Sequence, residues 1–77
     1  MSVTVHPGRL RQELARRGWS AADLARHAGL SHPTVGAALA GRPIAAASLA
    51  CVARALGEAP PIEAIDRLLF APERELG

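Results

Sequence analysis

The apolar residues of this chain recur at intervals of three and four positions, the spacing of helices that bury one face. Five such stripes follow one another, and no alternation of apolar and polar residues long enough for a strand is present. The pattern therefore predicts an all-α fold with five helices. The stripes are Leu10 and Leu14; Leu24, Ala25 and Ala28; Val35, Ala38 and Leu39; Leu49, Val52, Ala53 and Leu56; and Ile62, Ile65, Leu68 and Leu69.

Glycine and proline mark the boundaries between these helices. We expect Gly18, Gly29, Gly41 and Gly57 to end the first four helices, because glycine adopts the left-handed backbone common at helix ends. Pro60 and Pro61 then open the fifth. We expect an extended, loose segment over residues 1–7, with His6 in it, a single domain over 8–70 and a flexible tail over 71–77. No linker separates a second domain.

The second and third helices carry start signals as well. Ser20 is a favourable N-cap, and Asp23, three positions later, suits the positive end of the helix dipole. Ser31 is expected to cap the third helix, with Pro33 in its first turn, where a missing N–H costs little. Trp19 is expected to pack beneath the first turn.

Charge separates the two halves of the chain. Residues 1–42 hold six arginines and two acidic residues, whereas residues 43–77 hold three arginines and five acidic residues. A basic first half indicates an anionic partner, although solvated helix faces explain such a balance equally well. One cysteine makes no internal disulfide, which favours the cytoplasm. No apolar stretch approaches the length of a membrane span.

Three stretches carry a family resemblance: GWSAADLARHAGLSHPTV, ALAGRP and VARALG. Two short helices joined through Gly29, with small Ala25 before it and apolar Val35 after it, have the spacing of a helix-turn-helix. The chain resembles the Cro/C1-type (XRE) family over roughly residues 8–70. The LacI-type headpiece has a similar run, but the helix that precedes the motif here favours the XRE arrangement. The resemblance implies a compact, lambda-repressor-like five-helix bundle with helices 2 and 3 as the motif.

The resemblance also implies which residues meet DNA. Base-facing positions fall in the third helix, and phosphate contacts surround it. Members of the family often have glutamine where this chain has Ala21. The third helix also lacks an arginine or glutamine that could make a bidentate contact with a base. We therefore expect DNA shape and backbone contacts to dominate. The implied base-facing residues are Ser31, His32, Pro33, Thr34, Gly36 and Ala37. Positive charge and free N–H groups at the helix starts add the expected phosphate contacts, which are Arg9, Arg16, Arg17, Ser20, Ala21, Arg26 and Arg42.

The last stripe has two interpretations. Ile62, Ile65, Leu69 and Phe70 either close the core of one molecule or pair two copies. The resemblance favours a homodimer, which would present two third helices about 34 Å apart to double-stranded DNA. The expected function is a transcriptional regulator, either a repressor or an autoregulator.

A different class of function stays open beside it. The small side chains of the third helix suit contact with another helix, as in a protein-interaction module such as an antitoxin or a phage regulatory partner. No catalytic pair, cofactor loop or metal-ligand spacing is present, so neither an enzyme nor a cofactor nor a metal is expected. His27 and His32 lie on different elements, and Cys51 is expected to be a packed thiol.

Overall fold

A computed structural model describes residues 1–62 of the chain. They form four helices and two short strands in the order β1 (Ser2–Val3), α1 (Pro7–Arg17), α2 (Ala21–Ala28), α3 (His32–Leu39), β2 (Ile44–Ala45) and α4 (Ala46–Glu58). The predicted all-α fold is confirmed in its mostly helical character, but the described residues hold four helices rather than five and add an antiparallel pair of short strands. The predicted fifth helix lies outside the described residues beyond Ile62, as does the predicted tail over 71–77.

The strand pair corrects the expectation of a loose N-terminal segment. Ser2 lies opposite Ala45 and Val3 opposite Ile44 in an antiparallel pair, and the N–H of Ala46 donates to the carbonyl oxygen of Met1 at 3.1 Å. Strands of two residues have no alternation to detect, and their partners are more than forty positions apart. The pair holds the start of the chain against the link between α3 and α4.

His6 is also ordered by a specific contact. Its Nδ1 accepts a hydrogen bond from the N–H of Arg9 at 3.2 Å, which makes His6 the N-cap of α1. Pro7 occupies the first position of the helix, where its missing N–H has no intrahelical partner to lose. The expectation that His6 belongs to a loose segment is therefore wrong.

The core lies where α2, α3 and α4 meet α1, and it confirms the first three predicted stripes in all but Leu39, which is half-buried. Leu24 and Val35 are the two largest side chains that are fully enclosed. Four alanines in the core let helices pack closely, and no polar or charged side chain is buried within residues 1–62. The core residues are Leu10, Leu14, Leu24, Ala25, Ala28, Val35, Ala38, Ile44, Val52 and Ala55.

Helix α4 differs from its predicted stripe. Val52 and Ala55 are its buried residues, whereas Ala53 is exposed and Leu49 and Leu56 are only half-buried. The helix has turned its predicted apolar face partly away from the described core. That face therefore borders a surface groove instead of lying inside the molecule.

Gly57 does not end α4, contrary to the prediction. The helix continues through it to Glu58, and Ala59 leaves the helix in an extended conformation with φ −120° and ψ 96°. The steric reason is Pro60, since a residue before proline is pushed away from helical backbone angles. A proline, not a left-handed glycine, sets this boundary.

Candidate nucleic-acid interface

Helix α2 begins with a reciprocal cap that confirms the prediction for Ser20 and Asp23. The hydroxyl of Ser20 accepts the N–H of Asp23 at 3.1 Å, and Oδ2 of Asp23 accepts the N–H of Ser20 at 2.8 Å. The backbone N–H of Ser20, then its hydroxyl, then Arg26 hold the pKa of Asp23 below its ordinary range. The start of α2, with exposed Ser20 and Ala21, is thus a rigid, well-defined helix end.

The turn between α2 and α3 has the backbone that its sequence predicts. Gly29 is left-handed, with φ 69° and ψ 33°, and the N–H of Leu30 reaches back to the carbonyl oxygen of Ala25 at 2.9 Å. Ala25 is 5% exposed, so the two helices cross closely over it, and Val35 holds α3 from inside at 1% exposure. These contacts fix the angle at which α3 leaves the body of the domain.

Helix α3 starts at a cap that uses the hydroxyls of Ser31 and Thr34. The Ser31 hydroxyl accepts the N–H of Thr34 at 3.3 Å, and the two side-chain oxygens are 2.9 Å apart, within hydrogen-bonding distance. Both hydroxyls therefore already form hydrogen bonds within the protein, which leaves fewer donor and acceptor sites for a ligand. The predicted cap is confirmed, and His32 is left as the polar side chain of this turn without such a contact among the described residues.

One side of α3 is exposed and, apart from His32, carries only small or apolar side chains. His32, Pro33, Gly36 and the C-cap residue Ala40 are exposed, and at 3.6 residues per turn they fall within roughly a quarter of the helix circumference. We call these four residues the α3 face. A Cβ built on Gly36 would meet nothing within 4 Å. Ala37 and Thr34, also predicted to face bases, are only partly exposed and flank the α3 face on one side.

The end of α3 places Arg42 by backbone hydrogen bonds. Gly41 is left-handed with φ 75°. The N–H of Arg42 donates to the carbonyl oxygen of Ala37 at 2.9 Å, and that of Gly41 donates to Ala38 at 3.2 Å. This pair of bonds is the Schellman arrangement, in which the residue after the glycine usually makes a hydrophobic contact with the helix.

Arg42 breaks that pattern. The same position after α1 holds Trp19 and after α2 holds Leu30, and both side chains pack against the core. Arg42 is exposed instead and contributes nothing to the core. A cation near a helix C-terminus is worth about 0.3–1 kcal/mol through the helix dipole, so part of its presence is structural. Arg42 also places a positive charge beside the α3 face, where it is free to contact a ligand.

Arg17 is not available for the predicted phosphate contact. Only 9% of its side chain is exposed, and its guanidinium donates to the carbonyl oxygens of Ala59 at 2.6 Å, Leu56 at 2.9 Å and Glu13 at 2.9 Å. It also pairs with the Glu13 carboxylate at 2.8 Å. Every nitrogen of the guanidinium is engaged within the protein, so we leave Arg17 out of the interface.

The remaining arginines divide by their partners. Arg16 pairs with Glu13 at 3.1 Å and Arg26 pairs with Asp23 at 2.9 Å, both at accessible sites. The hydrogen bond from Arg17, followed by the charge and hydrogen bond of Arg16, lowers the pKa of Glu13. Arg9 and Arg42 form no ion pair with residues 1–62. Exposed ion pairs are weak, so Arg16 and Arg26 can exchange a carboxylate for a phosphate at small cost.

An aromatic stack that no sequence pattern predicts joins the turn after α1 to α2. The rings of Trp19 and His27 are parallel within 4° and their centroids are 4.2 Å apart. The two residues lie eight positions apart on different elements, a spacing without a helical signature. The stack covers the half-buried Trp19 and fixes α2 relative to α1.

A family model of the Cro/C1-type helix-turn-helix DNA-binding domain matches residues 9–61. The chain belongs to this family. The match includes nearly all of α1 and the whole of α2, α3 and α4. DNA binding is therefore the general function of this Cro/C1-type domain, and its family is a DNA-binding one rather than an enzymatic one.

The comparison with curated proteins found no match, and neither did the comparison with solved structures. Among the described residues, no helix has the length and apolar character needed to cross a membrane. The same part of the chain brings no three His, Cys, Asp or Glu side chains together as a metal site.

Proposed function

We propose that this Cro/C1-type domain is a transcriptional regulator, a repressor or autoregulator, that docks the α3 face in the major groove. In this mode of binding the second motif helix enters the groove and the first crosses the DNA backbone. The observation that carries the proposal is the bare, exposed α3 face with Arg42 fixed beside it. Gly36, which lacks a Cβ, lets the helix backbone approach the edges of the bases closely.

Phosphate contacts supply most of the affinity in this account. The N–H groups at the starts of α2 and α3 point outward beside Ser20, Ala21 and Ser31, and helix N-termini bind phosphate well. The positive charges come from side chains around them. They are Arg9, Arg16, Arg26 and Arg42.

Sequence discrimination is correspondingly small. His32 is the one side chain of the α3 face with hydrogen-bonding groups, and Ala37 can contact a thymine methyl at the edge of that face. A bidentate contact from arginine or glutamine would add about 1–3 kcal/mol of discrimination per base, and α3 offers none. We therefore propose that groove width and DNA deformability contribute more to site choice than hydrogen bonds to bases.

A homodimer completes the proposal. Two-fold symmetry would place two α3 faces on successive turns of the same side of the duplex. Ile62, one of the predicted interface residues, is 45% exposed, which is unusual for so large an apolar side chain in this domain. The other three, Ile65, Leu69 and Phe70, lie outside the described residues.

A charge placed on the α3 face tests the docking. Gly36→Glu introduces a carboxylate where the structure has open space, so the domain should stay folded by circular dichroism. Repulsion from the phosphates should weaken DNA binding at least about tenfold. Ala50→Glu, on the exposed side of α4, is the matched control and should bind normally. If both variants bound DNA as the unsubstituted chain does, α3 would not be the docking helix.

A protein-interaction module is the second candidate, and the same α3 face is the observation that favours it. Small residues let another helix approach closely, as a toxin or a phage protein would. The six arginines in the first half of the chain count against this candidate, because an apolar contact between helices does not require positive charge. This candidate predicts that the chain binds no DNA at low salt. It predicts instead that the chain binds the protein encoded by the neighbouring gene, and that Gly36→Glu abolishes that binding.

A further inference from the structure

Arg42 lies in a short exposed turn between two fixed points of the chain. Gly41 stands before it in the left-handed conformation, with φ 75°. Ile44 follows two positions later in strand β2 and is 6% exposed. Arg42 and Pro43 between them are exposed. The position of the Arg42 side chain therefore depends on the contacts that hold Gly41 and Ile44.

Strand β1 holds the Ile44 side of the turn. Val3 lies opposite Ile44, and the side chain of Val3 packs against the core. The carbonyl oxygen of Met1 accepts the N–H of Ala46 at 3.1 Å, where α4 begins without a side-chain cap. The first residues of the chain thus secure both β2 and the start of α4.

Pro7 holds the Gly41 side of the turn. A Cβ built on Gly41 would stand 3.1 Å from Cγ of Pro7 and 3.9 Å from its Cδ, so the proline ring lies directly against the Gly41 backbone. Pro7 is the first residue of α1, and the imidazole of His6 caps that helix through the N–H of Arg9. The start of α1 is therefore a fixed support for the turn after α3.

The equivalent turn after α2 has no such support. Gly29 and Leu30 form it, and the N–H of Leu30 makes the same backbone hydrogen bond, at 2.9 Å, as the N–H of Arg42. A Cβ on Gly29 would meet nothing within 4 Å. The side chain of Leu30, however, packs against the core and anchors its turn. Arg42 has no such anchor, so residues 1–7 supply from outside the support that an apolar side chain supplies after α2.

We propose that residues 1–7, here called the brace, hold Arg42 in the position from which it binds a DNA phosphate. The inference rests on the proposed function, because it takes Arg42 to contact phosphate. A side chain whose backbone is already ordered loses less conformational freedom on binding, so its complex is tighter. This effect requires no contact between the brace and DNA. The residues of the brace are positioning residues, and breaking the brace should weaken binding although Arg42 is still present.

Amide hydrogen exchange of the free chain tests the brace in the absence of DNA. Val3→Pro places a residue without an N–H in β1 and should open the strand pair. The N–H of Arg42 should then exchange at least about tenfold faster, because its hydrogen bond opens locally. The N–H of Leu30 is the internal control, and its exchange should change by less than about threefold. Equal acceleration of both amides, or of neither, would overturn the proposal.

Two further variants test the brace if Val3→Pro does not fold. Pro7→Ala removes the ring atoms that touch Gly41 but keeps a residue that suits the first helical position, and it should speed exchange at Arg42 by about threefold. Val3→Ile keeps both the N–H and a branched apolar side chain, and it should leave that exchange within about twofold of the rate in the unsubstituted chain. An unchanged exchange rate at Arg42 in the Pro7→Ala chain would contradict the support assigned to Pro7.

A double-mutant cycle connects the brace to DNA binding. Val3→Pro should weaken binding at low salt by about three- to tenfold, whereas Val3→Ile should not. The factor by which Arg42→Ala weakens binding should be at least about twofold smaller in the Val3→Pro chain than in the unsubstituted chain. Equal factors in the two chains would overturn the brace alone. An Arg42→Ala chain that binds as tightly as the unsubstituted chain would overturn the phosphate contact of the proposed function, and with it the role of the brace.

Discussion

Nε of Arg17 donates to the carbonyl oxygen of Ala59 across 2.6 Å, although the two residues are 42 positions apart. The contact caps α4 with a side chain from α1. It replaces the left-handed glycine that ends α1 and α2, since Ala59 is extended. The direction in which the chain leaves α4 is therefore set by Arg17 together with Pro60.

Arg17→Ala should lower the free energy of unfolding by about 1.5–3 kcal/mol, the range for hydrogen bonds that involve a charged group. Urea denaturation at neutral pH measures it. Arg16→Ala is the control, because Arg16 makes only an accessible ion pair and should change stability by about 0.5 kcal/mol or less. Equal stability of the two variants would remove the capping role assigned to Arg17.

Gly36→Ala should stabilise the domain by about 0.5–1 kcal/mol, since Gly36 has helical backbone and open space around it. Gly29→Ala should destabilise it, although that site has open space too, because the left-handed φ of 69° strains any side chain. Thermal denaturation of the two variants distinguishes the effect of the backbone conformation on stability from the effect of the space around each glycine. A melting temperature that falls for both would contradict the assignment of Gly36 to an unobstructed helix surface.

Stability should decline in acid. The pKa values of Asp23 and Glu13 are lowered in the folded state, so the unfolded chain binds more protons as the pH falls. Their contribution is complete above the ordinary values, 3.8 for Asp23 and 4.5 for Glu13, and is lost as the pH drops through the lower folded-state values. Urea midpoints from pH 7 to pH 2 should show this decline. Asp23→Asn should flatten it, and an unchanged slope in that variant would refute the assignment.

Arg42→Ala should weaken binding by a similar factor on every duplex, because a phosphate contact carries no sequence information. The slope of log affinity against log salt should become shallower by about 0.9, as expected for one phosphate. Arg54→Ala removes another exposed arginine, which pairs with Glu58 on α4, and should leave the slope unchanged. A shift in sequence preference without a change of slope would make Arg42 a base contact instead.

His32→Ala should change which duplexes are preferred more than it changes the salt slope, because His32 carries the hydrogen-bonding groups of the α3 face. Competition with duplexes that differ at single base pairs measures the preference. A uniform loss of affinity, as predicted for Arg42→Ala, would show that His32 contacts the backbone.

Local signals predicted much of this domain. Ser20 and Ser31 are the caps that their sequence contexts indicate, and Gly18 and Gly29 are left-handed at the helix ends where they were expected. Each of these features depends on residues within one turn of the chain. The helix-turn-helix spacing of Ala25, Gly29 and Val35 is similarly local, and the family match bears it out.

Features that depend on distant residues were missed or misassigned. The pairing of Val3 with Ile44 and the stack of Trp19 on His27 leave no periodic trace in the sequence. Arg17 looked like its exposed neighbour Arg16, because only the folded chain brings the end of α4 to it. Which exposed residues of α3 touch DNA stays a prediction, since the small side chains of the α3 face have no partners within the domain.

The salt dependence of DNA binding measures how much of the affinity comes from the arginines around the α3 face. Fluorescence anisotropy would follow binding of the full chain to a labelled duplex from upstream of its own gene and to a scrambled duplex, at about 50 and 200 mM salt. Four phosphate contacts, from Arg9, Arg16, Arg26 and Arg42, predict an affinity loss of about 100-fold over that range, with a modest preference for the native duplex. Undetectable binding to both duplexes at the lower salt would contradict the claim that this chain binds DNA through a bare α3 face surrounded by arginines.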